Sequence, residues 1–303
     1  MGELKKVLVT GAAGHLGSHL VSALMEEGFE VTGVDRVEFP EGKTAPHRFL
    51  VADLSDRKGV DEALEGVELI AHCASIHPWK EYADEQYLDA NIKGTWQLYA
   101  AAAERSIERV VLTSSIAAVG YRVAPELWPV REDYQGVPED LYSITKHAQE
   151  TIARQFALQG KVQTIALRPP AFMPKGELET GFGLLGAFAL VEDMVSAHAA
   201  AVRVLAGLQT SPDPLESFEA FFCTLSLPYT AADFEEGAVS IDSELVRRHW
   251  PRAADWLAER GFGGAWLPAV YDIGKARRML GWEPRFDFDW WFARQNGVGG
   301  SGK

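Results

Sequence analysis

Apolar residues in the first half of the chain fall into short runs separated by longer amphipathic stretches. Six runs rich in Val, Ile and Leu predict buried strands, at 6–10, 29–35, 47–53, 67–73, 109–115 and 162–168. Between them, apolar positions recur with helical periodicity, most clearly at 15–27, 57–64, 84–105 and 139–159. Because strands and helices alternate, the pattern predicts a parallel sheet covered on both faces, the doubly wound α/β class.

The composition changes after Arg168. Glycine, proline and aromatic residues become more frequent, and irregular stretches separate predicted helices at 190–208, 242–260 and 273–281. We therefore expect three parts: a nucleotide-binding domain at 1–168, a smaller substrate-covering lobe at 169–296 that packs on it and is not independent, and a flexible tail at 297–303.

The junction of the first predicted strand and helix holds Gly11, Gly14 and Gly17, spaced G-x-x-G-x-x-G. Glycine lets the backbone approach a pyrophosphate, whose charge then lies at the helix N-terminus. A strand precedes and a helix follows, as the motif requires. We therefore expect a Rossmann-type dinucleotide site that also includes Leu16 and His15, the latter as a packing or phosphate-facing residue rather than a catalytic one.

The second predicted strand ends at Asp35, about 20 residues beyond the loop, where a carboxylate can accept hydrogen bonds from the adenosine ribose. This favours NAD over NADP, although Arg36 could hold a 2'-phosphate, so NADP stays possible. Asp53 and Leu54 follow the third strand and are expected along the adenine edge. Asp53 could also cap the helix predicted at 57–64.

A tyrosine and a lysine, Tyr142 and Lys146, stand four positions apart in the helix predicted at 139–159. Residues i and i+4 project from the same helix face, so the phenol and the ammonium can converge on one point. A nearby cation favours phenolate and lowers a tyrosine pKa. The pair is therefore a candidate for proton exchange near neutral pH, and its alternative is two surface residues one turn apart.

The composition is that of a chain able to bury a sizeable core, with 47% hydrophobic and 24% charged residues. The formal charge of -14 makes nucleic-acid binding unfavourable. Two cysteines, Cys73 and Cys223, stand in apolar surroundings and are interpreted as buried residues, not as a disulfide or metal ligands, which fits the cytoplasm. The longest uncharged run, 180–191, falls short of the roughly 18 residues of a membrane span.

Taken together, these motifs resemble the extended short-chain dehydrogenases/reductases, the NAD-dependent epimerase/dehydratase family. The resemblance covers residues 1–208 and continues in a C-terminal signature at 271–284. Its matching segments are "TGAAGHLG" (10–17), Asp35, Asp53-Leu54, "AHCAS" (71–75), "NIKGT" (91–95), "TSS" (113–115), "YSITK" (142–146), "LRPP" (167–170) and "VEDMVSAHAAAV" (191–202).

The resemblance implies roles for individual residues. Tyr142 would be the general acid/base, Lys146 would hold the nicotinamide ribose and lower the tyrosine pKa, and Ser115 would hydrogen-bond the substrate oxygen, with Ser114 as its competitor. Further cofactor contacts are implied for Ala74, Pro169 and for Asn91, which would support the active-site backbone. Substrate contacts are implied for Ser75, Ile116 and Phe172.

The chain also departs from its relatives. Ile116 and Ala117 replace the carboxylates of sugar-nucleotide dehydratases, which disfavours dehydration, and also the Asn and His of uronate dehydrogenases. Only 22 residues lie between Arg168 and Val191, too few for the insertion with which nucleotide-sugar epimerases grip the nucleotide. We therefore expect a compact, partly apolar site for a small sugar-like hydroxyl or carbonyl substrate.

Three functions stay open. The first is an NAD-dependent dehydrogenase, the second an epimerase that retains NAD, like UDP-glucose 4-epimerase, and the third a non-catalytic NAD(P)-sensing protein. In similar proteins, the two helices predicted at 84–105 and 139–159 pair across a two-fold axis. Apolar residues on them indicate a homodimer, for example Leu98, Tyr99, Ile152 and Phe156.

Overall fold

The computed structural model describes residues 5–234 and 240–296, so the tail predicted at 297–303 lies outside the described residues. Seven parallel strands form one sheet in the order β3-β2-β1-β4-β5-β6-β7. They are β1 (Lys6–Thr10), β2 (Glu30–Asp35), β3 (Arg48–Val51), β4 (Leu69–His72), β5 (Arg109–Thr113), β6 (Gln163–Arg168) and β7 (Phe218–Phe222). The doubly wound α/β prediction is confirmed.

Eleven α-helices are present in the described part of the chain. They are α1 (His15–Glu26), α2 (Arg57–Ala63), α3 (Asp84–Tyr87), α4 (Gly94–Glu104), α5 (Leu141–Leu158), α6 (Glu177–Leu184), α7 (Val191–Leu205), α8 (Ser243–His249), α9 (Pro251–Ala258), α10 (Gly274–Leu280) and α11 (Phe288–Gln295). One π-helical turn, Leu88–Lys93, joins α3 to α4 within the predicted helix 84–105. Pro251 begins a new helix, so the predicted helix 242–260 is divided into α8 and α9.

The two faces of the sheet carry separate apolar layers. Helices α1 and α7 pack on one face, and α2, α4 and α5 pack on the other. A third apolar cluster joins α6, α8, α9 and α11 beside the carboxyl end of the sheet. The chain beyond Arg168 therefore contributes both a helix, α7, and a strand, β7, to the nucleotide-binding layers, and only part of it forms the lobe.

The order of the strands fixes where a ligand can bind. The connections from β1 and β4 leave in opposite directions, because β2 lies on one side of this pair and β5 on the other. Ligands of such sheets bind in the crevice at the carboxyl ends of the strands, at this point of divergence. The glycine loop follows β1, and residues 73–83 follow β4, so both lie at this crevice.

Candidate active site

The glycine loop is closed so tightly that it excludes side chains at two of its positions. Gly11 has φ +66°, and a Cβ on it would lie 2.7 Å from the Ala74 backbone nitrogen. A Cβ on Gly17 would lie 2.1 Å from the Gly11 carbonyl oxygen. The Gly14 N–H donates to that same oxygen at 3.0 Å, which completes the turn into α1. The loop therefore presents bare backbone at the helix N-terminus, as a pyrophosphate site requires.

Asp35, at the end of β2, holds the glycine loop in place. Its Oδ2 accepts a hydrogen bond from the Ala13 backbone N–H at 3.0 Å, and its Oδ1 accepts one from the Arg36 N–H at 2.7 Å. Asp53 does not cap the following helix, because Asp56 accepts from Lys58 N–H in that role, while Asp53 accepts from Ser55 N–H. Asp53 is thus left at the edge of the cleft.

A cleft of about 380 Å³ runs along the carboxyl ends of the strands from Asp53 to Tyr142. Its walls combine the glycine loop, an acidic residue at the end of β2, another after β3, and the catalytic candidates, which is the set a dinucleotide needs. Of the residues predicted to bind the cofactor, those lining the cleft are Gly11, Gly14, His15, Leu16, Gly17, Asp35, Arg36, Asp53, Leu54, Ala74, Tyr142, Lys146 and Pro169. These residues fit NAD.

Asn91 is the exception, and its predicted contact with the cofactor is corrected by the structure. The π-helical turn directs its side chain into the protein, where it is fully buried. Its Oδ1 accepts from the Ile76 N–H at 2.7 Å, and its Nδ2 donates to the Ile76 carbonyl and to Thr145 Oγ1, both at 2.9 Å. Asn91 therefore supports the backbone after β4 and ties it to α5, without reaching the cleft.

Tyr142 lies in the first turn of α5, and a cap at Asp140 fixes where this helix begins. The Asp140 carboxylate accepts from the Ser143 N–H at 2.7 Å, and Ser143 Oγ accepts from the Asp140 N–H at 2.9 Å. Burial raises the pKa of Tyr142 to about 12, while its hydrogen bond with the Ser115 side chain lowers it. Burial dominates this shift and Lys146 is not among the groups that lower it, so the expected depression of the pKa by the lysine is not found, and the phenol is protonated at neutral pH.

Lys146 projects from the same face of α5 as Tyr142, one turn later. Its Nζ lies 5.8 Å from the centre of the Tyr142 ring and donates to the Thr113 carbonyl at 2.9 Å. Burial lowers the pKa of Lys146 to about 7, against raising contributions from Cys73 and Glu150. The predicted convergence of the two side chains on the cleft is thus present, and the lysine titrates close to neutral pH.

The two serines after β5 point to different partners. Ser114 Oγ donates to Glu150 Oε1 at 2.6 Å, and the same carboxylate also accepts a hydrogen bond from Arg168 Nε. Ser115 Oγ accepts from the Ala117 N–H at 3.1 Å and faces Tyr142. Only Ser115 has a hydroxyl directed at the phenol, so the geometry favours it over Ser114 as the residue that contacts a substrate oxygen.

A second cavity, of about 900 Å³, opens where the cofactor cleft reaches Ser115 and Tyr142. Ile116 and Phe172, both predicted to contact substrate, line it. Ser75, also predicted to contact substrate, lines the cofactor cleft and not this cavity, and its hydroxyl donates to the Ile76 carbonyl at 3.4 Å. The cavity and the cleft therefore share a wall that includes Ser115 and Tyr142.

Several residues that line this cavity were not predicted from the sequence. His77 lies on the walls of both the cavity and the cleft, and burial, together with Lys146 and Lys80, lowers its pKa to about 4. Trp79 and Trp266 are both about half exposed and line the cavity from separate loops. These residues belong to irregular segments without periodic pattern, so only the fold brings them to the site.

Within residues 5–234 and 240–296, no three or more His, Cys, Asp and Glu side chains are grouped as a metal site would require. In the same residues, no helix combines the length and apolar character needed to cross a bilayer.

Comparisons with known proteins agree with this geometry. Over most of its length the chain is similar to sterol-4-alpha-carboxylate 3-dehydrogenase of Mus musculus, with 29% identity over 85% of this chain and 74% of the mouse protein. It is also similar to a 3 beta-hydroxysteroid dehydrogenase/isomerase of Mycobacterium tuberculosis, with 27% identity over 94% of this chain and 87% of that protein. Other curated relatives, such as the fatty acid hydroxylase uhd1 of Mycosarcoma maydis at 35% identity, are matched over only 40% of their own length.

Solved structures share the fold at lower sequence identity. Uronate dehydrogenase from Agrobacterium tumefaciens superposes with a TM-score of 0.67 at 20% identity, over 99% of this chain and 91% of that chain. A UDP-galactose 4-epimerase superposes with the same TM-score at 21% identity, over 93% of this chain and 94% of that chain. The model of the NAD-dependent epimerase/dehydratase family matches residues 7–182. The chain therefore belongs to this family of NAD-dependent enzymes, within the extended short-chain dehydrogenases/reductases.

Proposed function

We propose that this protein is an NAD-dependent dehydrogenase that interconverts a secondary hydroxyl and a carbonyl group of a substrate held in the 900 Å³ cavity. The observation that carries the proposal is the shared wall of the cofactor cleft and the cavity, at Ser115 and Tyr142. A substrate oxygen at this wall meets both hydroxyl groups. Bound NAD supplies the hydride acceptor, or as NADH the donor, for the carbon that bears this oxygen.

The residues at the wall divide the proton chemistry between them. Tyr142, whose pKa is raised to about 12, keeps its proton at neutral pH and can donate it to a carbonyl oxygen during reduction. Ser115 donates a hydrogen bond to the same oxygen and holds it near the phenol. In the direction of oxidation, Tyr142 accepts the proton, and the charged form of Lys146 stabilises the phenolate that this requires.

The lining of the cavity favours a bulky apolar substrate. It is formed mainly by aromatic and aliphatic side chains, and Lys175 and Glu179 are the only Lys, Arg, Asp or Glu side chains among the described residues that line it. Cavities of about 300–1,000 Å³ hold drug-sized ligands, and this one is near the upper end of that range. The mouse and mycobacterial relatives are named for sterol and steroid substrates. We therefore propose a polycyclic or similarly large apolar alcohol.

The small sugar-like substrate expected from the sequence stays a prediction, as do epimerisation and the non-catalytic function. One assay separates them. The purified protein is incubated with NAD and, in separate reactions, with hydroxysteroids, uronates, aldoses and UDP-sugars. NADH formation is followed by absorbance, and isomers are followed by chromatography. Turnover of hydroxysteroids well above that of every sugar is expected.

Two results of this assay would contradict the proposal. NADH formation with a free uronate or aldose, but not with any apolar alcohol, would establish the sugar-like reading. Interconversion of UDP-sugars without net NADH formation, together with inhibition by micromolar UDP, would establish an epimerase.

The proposed homodimer rests on residues other than those named from the sequence. Leu98, Tyr99, Ile152 and Phe156 are buried within the subunit and pack between α4, α5 and the sheet, so they are not available to a partner. However, exposed apolar side chains do occur on these two helices and on the π-helical turn before α4, at Ile144, Trp96 and Leu88. We propose that the surface formed by these exposed side chains is the dimer interface.

A cytoplasmic location likewise stays a prediction, which cell fractionation would test.

A further inference from the structure

A buried ion pair contacts Ser114, the residue before Ser115, and so lies next to the wall that Ser115 and Tyr142 form between the cleft and the cavity. Arg168, the last residue of β6, forms a two-pronged contact with Glu150 on α5: its Nε donates to Oε1 and its Nη2 donates to Oε2, both at 2.8 Å. The two side chains are 3% and 6% exposed. The same Oε1 accepts from Ser114 Oγ at 2.6 Å, and Arg168 Nη1 donates to the Glu132 carbonyl at 3.1 Å.

The energetics of such a pair argue against a purely stabilising role. Two charges removed from water lose hydration that their attraction barely repays, and apolar replacements of similar volume are often neutral or stabilising. A buried pair can instead specify one arrangement of the elements it connects. Together with Ser114, this pair connects α5, which carries Tyr142, with the end of β6 and with the segment after β5 that carries Ser115.

The ion pair is connected to Ser115 through two sets of contacts, one on each side of Ser115 in the chain. On the first, Ser114 directs its hydroxyl into the pair, and in extended backbone the next side chain points the opposite way, towards the cleft. On the second, Arg168 is followed by Pro169, whose carbonyl accepts from the Ile116 N–H at 3.0 Å. Residues on both sides of Ser115 are thus held by the pair or by its direct neighbour.

We propose that Glu150 and Arg168 are positioning residues: acting through Ser114 and Pro169, they fix the direction in which Ser115 presents its hydroxyl to Tyr142 and the substrate oxygen. The inference rests on the proposed function, because it concerns the rate of that reaction. Removal of the pair should lower kcat and leave NADH affinity close to that of the wild type, since neither charged side chain lines the cofactor cleft.

The test replaces the whole network with apolar residues, as Ser114→Ala, Glu150→Leu and Arg168→Met together. This triple variant removes both charges of the pair together, so neither Glu150 nor Arg168 is left without the other. We expect a free energy of unfolding near that of the wild type, an NADH dissociation constant within about 3-fold, and a kcat lower by about 10- to 100-fold, the size of effect caused by small misplacement of a reacting group. A triple variant that folds and keeps the wild-type kcat would overturn the proposal.

Two controls make the test specific. The Glu219–Lys275 pair, with an Nζ–Oε2 distance of 2.5 Å, joins β7 to α10 and lies outside both cavities. The double variant Glu219→Gln and Lys275→Met should therefore keep the wild-type kcat. Ser114→Thr retains the hydroxyl and should keep most of the rate that Ser114→Ala loses.

If the triple variant does not fold, Ser114→Ala alone decides. It keeps the ion pair and removes one hydrogen bond, and we expect a kcat lower by about 3- to 10-fold; an unchanged kcat would overturn the proposal. Crystal structures of the wild type and of a folded variant give a readout that needs no substrate: Ser115 should bond Tyr142 in the first and turn away in the second. Absence of turnover in the wild type would count against the proposed function, whereas an unmoved Ser115 would count against this inference alone.

Discussion

The buried lysine of the site should make the stability of the protein depend on pH in a predictable direction. Burial lowers the pKa of Lys146 from its ordinary 10.5 to about 7 in the folded protein. Between these two values the unfolded chain binds a proton that the folded chain does not, so the free energy of unfolding rises with pH. From pH 7 to pH 9 this rise amounts to about 2 kcal/mol for this one group.

Replacement of the lysine isolates this contribution. Lys146→Met keeps an unbranched side chain of similar length and removes the titrating group. Urea unfolding of the wild type and the variant is measured from pH 7 to pH 9, and the difference between their free energies of unfolding is plotted, so that groups common to both cancel. We expect this difference to shift in favour of the wild type by about 2 kcal/mol across the range.

Lys93→Met serves as a matched control, because Lys93 is an exposed lysine next to α4. It controls for the loss of one positive charge. A Lys146→Met difference that stays level from pH 7 to pH 9, or one that falls, would refute the conclusion that Lys146 loses its proton near neutral pH in the folded state.

Three further predictions concern the loop, the cofactor and the interface. Gly17→Ala should lower the free energy of unfolding, measured in urea, by about 1–3 kcal/mol, because its Cβ would lie 2.1 Å from a carbonyl oxygen. The control Gly263→Ala should be nearly neutral, because no atom lies within 4 Å of its Cβ position. Equal losses of stability in the two variants would contradict the clash at Gly17. Asp35→Ala should raise the ratio of NADPH to NADH affinity by about 10-fold in fluorescence titrations, since charged hydrogen bonds contribute about 1.5–3 kcal/mol; an unchanged ratio would remove Asp35 from ribose recognition. Trp96→Glu should convert a dimer to a monomer in light scattering, and a wild type that is already monomeric at micromolar concentration would contradict the proposed interface.

The features that were predicted from the sequence are those whose residues lie close together along the chain. The glycine loop joins a strand to a helix within a few residues, and Tyr142 and Lys146 stand one turn apart on α5, so local periodicity was sufficient to place them. The missed strand, β7, reads "FEAFF", in which Glu219 interrupts the apolar run. The negative charge of Glu219 is tolerated in this buried strand because Lys275, 56 positions later in the chain, forms an ion pair with it.

Other parts of the site depend on contacts that no local pattern shows. The π-helical turn directs Asn91 into the protein, so that it supports the Ile76 backbone, as the resemblance implied, but does not line the cleft. Trp266 reaches the cavity through a contact distant in sequence, since the Ala187 N–H donates to the Trp266 carbonyl at 2.9 Å. The direction of the shift in the Tyr142 pKa could not be predicted either, since it depends on the burial of the phenol in the folded protein.

The central claim is that Tyr142 exchanges a proton with the substrate oxygen, and Tyr142→Phe tests it most directly. This variant removes one oxygen and keeps the ring that lines both the cleft and the cavity. Steady-state kinetics with the substrate that the wild type turns over should show a kcat lower by about 10²- to 10⁴-fold, the usual range for loss of general acid/base catalysis. The NADH dissociation constant, measured by fluorescence, should stay within about 3-fold of the wild type. The reason is that the phenol oxygen acts on the substrate oxygen during the reaction, while the ring that lines the cleft is kept. A variant that retains more than about a tenth of the wild-type kcat would contradict the assignment of Tyr142 as the general acid/base.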